Sequence, residues 1–224
     1  MLRFSSYEKY YLQSLALTSG LSLVLFAARV VLTGSTTYLF IPGNLALAWL
    51  GLIFGWLLVR QLRVKRWASW QAVSLTLLWL FFLPNTWYVL TDFIHLYPTG
   101  EISELYDIVM LGSLVINGFI LGFTSLYLVH KELYKRYGQN YSAWIVAGVI
   151  LISSFAIYLG RDLRWNSWDV VANPGGIILN VSDRLVDPLG NIHSFNITGL
   201  FFVMIGTIYA AVWRIFGPAN KHPS

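Results

Sequence analysis

Tyr38 to Arg66 reads YLFIPGNLALAWLGLIFGWLLV and then RQLRVKR. The first part, Tyr38–Val59, has 22 residues and no charge. At about 1.5 Å per residue a helix of that length covers about 33 Å, enough to cross a hydrocarbon core of about 30 Å. The second part places Arg60, Arg63, Lys65 and Arg66 directly after the run. Cations packed against the end of an apolar span hold that end on the cytoplasmic side.

Five further runs are similarly long and apolar: Tyr11–Leu32, Ala68–Leu90, Tyr106–Val129, Ser142–Gly160 and Phe195–Phe216. Helices are expected, because a membrane barrel would show short alternating segments instead. The composition agrees: 57% of the 224 residues are hydrophobic, 11% are charged, and the mean hydropathy is +0.62. A soluble domain carries roughly a quarter charged residues to cover its surface. The expected fold is therefore an all-α integral membrane bundle of about six spans, forming one multi-pass domain over residues 1–224. The N-terminal run follows Arg3 and Lys9 as a signal peptide would, but it is too long, carries Arg29 and lacks a clear cleavage site. An uncleaved first span is expected.

With six spans, Arg3, Lys9, Arg60, Arg63, Lys65, Arg66, Lys131, Lys135, Arg136, Arg214 and Lys221 fall on one side, eleven of the 15 cations. Of the acids, only Glu8 and Glu132 join them. The expectation is a cell-membrane protein with both termini cytoplasmic. The net charge of +5 belongs to these connections, so nucleic acid is not an expected partner. The chain has no cysteine, which excludes disulfides, thiolate metal sites and a thiol nucleophile. The long connection Arg161–Ser194 contains the turn signal Asn173-Pro174-Gly175-Gly176. A short interfacial helix over about Gly176–Val186 follows it in this reading.

Two clusters close spans on the opposite, outer side. The first is Leu83-Pro84-Asn85-Thr86-Trp87-Tyr88-Val89-Leu90-Thr91-Asp92-Phe93-Ile94-His95-Leu96. Pro84 cannot bond the carbonyl of Leu80 and should kink the third span, with Asn85 or a neighbour satisfying a freed carbonyl. If the α-helix resumes, Asn85, Tyr88, Asp92 and His95 share one face. Polar groups at that depth are costly and normally point into protein or a wet cavity. The second cluster is Gly160-Arg161-Asp162-Leu163-Arg164-Trp165-Asn166-Ser167-Trp168-Asp169. Its two guanidiniums suit a carboxylate or phosphate, and Asp162 or Asp169 could pair with them instead.

The pairing of Leu-Pro-Asn-x-x-Tyr-x-x-Thr-Asp-x-x-His-Leu with Gly-Arg-x-x-Arg-Trp-Asn-Ser-Trp-Asp resembles the bacterial multi-pass membrane family catalogued as domain of unknown function 1361. The likeness covers roughly residues 20–216. It implies a multi-pass membrane fold and transfers no catalytic residue, cofactor or activity.

The residues themselves support an outward-facing polar pocket that binds or processes an anionic lipid or lipid-linked substrate. In it Asp92 and His95 hold acid–base positions, and Asn85, Tyr88, Arg161, Asp162, Arg164, Asn166 and Asp169 line the ligand. Two other classes stay open: a non-enzymatic carrier or sensor, and a structural or assembly protein whose motifs only lock helices. No cofactor is specified. Asp92, His95, Asp162 and His193 form only a weak metal pattern, and no metal is assigned. Arg29 lies near the outer end of the first span, with Asp92, Asp107 and Asp162 as candidate partners. Asn117, Asn191 and His193 occupy the same half. The Arg60–Arg66 run serves as a topology signal, with anionic lipid as a further possibility.

Overall fold

The computed structural model describes residues 6–163, 173–187 and 190–218. Every regular element among them is helical: α1 Ser6–Thr33, α2 Phe40–Leu62, α3 Trp70–Phe82, α4 Asn85–Tyr88, a 3₁₀ turn Val89–His95, α5 Glu104–Asp162, α6 Pro174–Val186 and α7 Ile192–Phe216. Lys9–Thr33, Phe40–Leu62, Trp70–His95, Glu104–Asp162 and Ile192–Phe216 are each long and apolar enough to cross a membrane. Large apolar side chains such as Leu17, Val24, Val31, Ile116, Leu200 and Val203 point outward, as a lipid-facing surface requires. The chain is an all-α membrane bundle.

The 59-residue α5 makes two passes. Its backbone leaves helical geometry at Gly138, where φ is +75°. That conformation is strained for any residue with a Cβ, so glycine reverses the chain with no loop. His130 shows the reversal directly, because its ring lies 3.3 Å from the Ser142 hydroxyl. Twelve residues of unbroken helix would hold those positions about 18 Å apart. Residues 104–137 and 139–162 are thus antiparallel limbs. Lys131, Lys135 and Arg136, expected in a loop, project instead on the helical end of the first limb. Arg136 donates to the Leu62 carbonyl at 2.6 Å, capping the end of α2 with a cation.

The first limb is the centre of the bundle. α5 packs against α2, α4, α7 and α1, and α2 packs against α3 and α4. Tyr11 contacts Thr124 through their hydroxyls, and Tyr127 donates to the Phe216 carbonyl at 2.7 Å. The start of α1 and the end of α7 therefore lie at one end of the bundle, together with the basic connections.

Pro84 breaks the third crossing as expected. α3 stops at Phe82 and the backbone tightens, with Thr86 N–H donating to the Leu83 carbonyl at 3.1 Å. This withdraws the usual donor from the Phe82 carbonyl, and the Asn85 side-chain amide replaces it at 3.2 Å. The kinked segment and the end of α3 are wedged between two pairs of glycines spaced four apart. A Cβ on Gly51 would lie 3.0 Å from the Thr86 methyl, and one on Gly55 would lie 3.0 Å from the Trp79 indole nitrogen. On α5, a Cβ on Gly118 would strike the Thr86 carbonyl, and one on Gly122 would lie 2.8 Å from the Trp87 indole nitrogen. Small residues at this spacing let helices approach closely in lipid. Ser125 ties the junction by accepting from the Trp79 indole at 2.9 Å and donating to the Gly51 carbonyl at 2.7 Å.

Candidate functional site

The polar groups of the end opposite the basic connections form one belt. It starts at Arg29, which is 1% exposed. Its Nε donates to Asp107 Oδ1 at 2.6 Å, and its Nη2 donates to Asp107 Oδ2 at 3.2 Å and Glu101 Oε2 at 3.1 Å. The guanidinium also lies over the Tyr38 ring, 4.5 Å from its centroid. Of the three acids considered for Arg29, the structure selects Asp107. Glu101 from the following connection was not foreseen.

Tyr38 carries the belt onward. Its hydroxyl is 3.4 Å from Asp107 Oδ2 and 3.2 Å from the His95 carbonyl. It lies in the connection between α1 and α2, outside both spans. Burial pushes this phenol up to about 12, the Asp107 carboxylate opposes phenolate formation further, and Arg29 acts the other way. The hydroxyl is therefore a permanent donor at neutral pH. Phe40 packs on the His95 ring with centroids 5.0 Å apart. Asn44, one turn into α2, donates to Asp92 Oδ2 at 2.8 Å.

Asp92 and His95 belong to the 3₁₀ turn Val89–His95. At three residues per turn, Val89, Asp92 and His95 share an edge, and Tyr88 is rotated about 120° from Asp92. The expected single stripe of Asn85, Tyr88, Asp92 and His95 assumed α-helical pitch, and the tightened backbone splits it. Asp92 and His95 remain together, while Asn85 serves the kink. Asp92 is buried at 3% exposure, and His95 is exposed.

Arg161, at the end of the second limb of α5, exerts a Coulombic influence on both Asp92 and His95. Asp162 pairs not with Arg161 but with His193 at the start of α7, at 3.0 Å. The His193 ring meets Tyr158 edge-on at 6.3 Å. The Tyr158 hydroxyl accepts from Arg184 Nε of α6 at 3.0 Å. Arg184 is buried, and its Nη1 also donates to the Asn180 carbonyl at 2.7 Å. The short helix predicted over Gly176–Val186 is present as α6, capped by Asn173 accepting from Gly176 N–H at 3.0 Å. Arg164, Asn166 and Asp169 lie outside the described residues. Among the described residues no group of three His, Asp or Glu is placed to hold a metal.

Residues 44–211 match a family model described as Protein of unknown function (DUF1361). The chain belongs to this family. In this DUF1361 member the matched region runs from Asn44 into α7, so it contains the Pro84 kink, Asp92, His95 and the end of the second limb, while Arg29 and Tyr38 precede it. No curated protein and no solved structure matches the chain.

Asn44 had a signal in the sequence: it is an amide inside an otherwise apolar run, and polar groups inside a span seek protein partners. Glu101 had none, because an acid in a connection has no periodicity to read.

Proposed function

We propose that this end of the bundle binds the anionic headgroup of a membrane lipid or lipid-linked substrate, in a cell-membrane protein oriented with both termini in the cytoplasm. One observation carries the reading. A buried carboxylate and an exposed imidazole one 3₁₀ turn further on lie within electrostatic range of a guanidinium from another crossing. Arg161 supplies the anion contact, since a guanidinium fork suits phosphate or carboxylate. Asp92, fixed by Asn44, holds the local charge balance. His95 faces outward, where it can exchange a proton with a bound group. Asn85 and Tyr88 on the adjoining turn, and Asp162, Arg164, Asn166 and Asp169 beyond Arg161, complete the proposed lining. The orientation rests on the cations of the opposite end.

The test uses delipidated protein in detergent and dioctanoyl phosphatidylglycerol, with the phosphatidylcholine analogue as control. The anionic lipid should raise the melting temperature, and Arg161→Gln should remove most of that increment. An unchanged increment in Arg161→Gln rejects the assignment. Binding separates from processing in cells that express the protein. Membrane lipid extracts that differ between wild type and Asp92→Asn, with both proteins folded, indicate chemistry at Asp92. Identical extracts leave a carrier or sensor. If Asp92→Ala and Arg161→Ala each prevent stable insertion, the motifs lock helices and the binding reading fails.

A further inference from the structure

The opposite end of the bundle holds a groove that the proposed headgroup site does not use. It encloses about 270 Å³ and is almost wholly apolar. Three helices wall it: Tyr11 and Leu12 of α1, Ile53 and Trp56 of α2, and Thr124 and Leu128 of the first limb of α5. It lies near the end of the bundle where α1 begins and where α2 and the first limb finish.

Each wall carries a cation one turn beyond the groove. Lys9 precedes Leu12 by three residues, Arg60 follows Trp56 by four, and Lys131 follows Leu128 by three. Positions three or four apart share a helix face, so each cation lies on the face of its helix that lines the groove, one turn nearer the basic end. Each is exposed. The Arg60 guanidinium is drawn back over the Trp56 ring, 5.6 Å from its centroid, which places charge directly above an apolar wall. The acid nearest in sequence to Lys131, Glu132, is buried and engaged by Arg136 at 3.0 Å and Lys135 at 3.6 Å.

An apolar slot ending in three cations has the polarity of an anionic phospholipid. We infer that the groove holds one acyl chain of such a lipid from the basic-side leaflet, with its phosphate among Lys9, Arg60 and Lys131. A topology signal requires cations in the connections, but it does not require one on each wall of a common cavity.

Native mass spectrometry of the purified protein, incubated with equimolar dioleoyl phosphatidylglycerol and dioleoyl phosphatidylcholine, tests this. One retained phosphatidylglycerol should dominate. Lys9→Gln/Arg60→Gln/Lys131→Gln should reduce that preference on the order of tenfold or more, given the attraction of each cation to anionic lipid. Arg63, Lys65 and Arg66 remain in this variant, so the topology signal persists. Ile53→Trp fills the groove with the cations intact and should release both lipids. The single variant Arg60→Gln guards against misfolding of the triple variant and should show a smaller loss in the same direction. An unaltered preference in folded triple variant overturns the inference. So does retention lost in Arg161→Gln but kept in the triple variant, which would put the lipid at the other end. Equal binding of free glycerol phosphate would also overturn it, because no chain would then be needed in the groove.

Discussion

Arg29 and Asp107 provide the sharpest energetic prediction. The side chains are 1% and 2% exposed, and two hydrogen bonds join them. One guanidinium nitrogen, Nη1, is buried without a partner, so the pair already carries an unmet desolvation cost. Removing one member of a buried pair strands the other and costs about 3–5 kcal/mol, whereas replacing both with apolar side chains is often neutral or better. Arg29→Met should therefore destabilise the protein by about 3–5 kcal/mol, because Tyr38 alone would face the Asp107 carboxylate. Asp107→Leu should fall at the lower end, since Glu101 still reaches the guanidinium. The double replacement Arg29→Met/Asp107→Leu should lie within about 2 kcal/mol of wild type, because Glu101 is 36% exposed and can turn to water. The coupling then reaches a hundredfold or more in the folding equilibrium, at about 1.4 kcal/mol per decade. Reversible unfolding in mixed micelles, followed by helical circular dichroism against detergent composition, measures all four corners of the cycle. Additive single-mutant costs would refute the reasoning, as would Arg29→Met within about 1 kcal/mol of wild type, the result expected if Arg29 merely snorkels to the surface.

Two further predictions concern the same end and the kink. Tyr38 is neutral in the folded protein up to about pH 12, against about 10 when unfolded, so its contribution is complete below about pH 10 and disappears as pH rises through 12. Wild type should lose on the order of 2–3 kcal/mol more than Tyr38→Phe across that interval in a pH series of the same unfolding measurement, and parallel curves would reject the buried phenol. Gly122→Val pushes a branched side chain into Thr86 and Trp87 and should cost at least about 1–3 kcal/mol, with a changed Trp emission spectrum. An unchanged spectrum together with unchanged stability would show that the kinked segment does not pack there.

The fold was legible because lipid imposes a coarse code. Six long apolar runs separated by clustered cations leave little freedom, and each run corresponds to a helical pass. The misread details have local causes. Lys131, Lys135 and Arg136 looked like loop residues because they interrupt hydropathy. Helical geometry does not require apolar residues once the chain leaves the bilayer, and Glu132 ties Lys135 and Arg136 along that helix. The polar stripe after Pro84 was drawn with the pitch of an α-helix, whereas the tightened backbone continues as 3₁₀ from Val89. That Asp92 and Arg161 lie within electrostatic range of each other accords with both motifs closing spans on one side. The choice of Asn44 for Asp92, and of Glu101 for Arg29, depends on rotation about helix axes and on a connection, neither of which a single sequence encodes strongly.

The Pro84 kink and the candidate site are linked by what holds the kinked segment in place. Thr86, Trp87 and Val89 are fully buried, and close-approach glycines from two helices bracket that stretch. Apolar packing therefore fixes the start of the 3₁₀ turn, and the turn carries Asp92 and His95 to their positions as passengers of that packing. Asp92 adds one hydrogen bond from Asn44, and His95 adds ring contact with Phe40. A buried carboxylate costs free energy that its surroundings must offset, and here most of the positional work is done by groups that carry no charge. Residues whose chemistry is expensive and whose removal leaves the backbone supported are better explained by what they bind than by what they brace. That asymmetry separates Asp92 from Asp107, whose loss strands a buried guanidinium, and it makes the Asp92–His95–Arg161 end the place to look for a ligand.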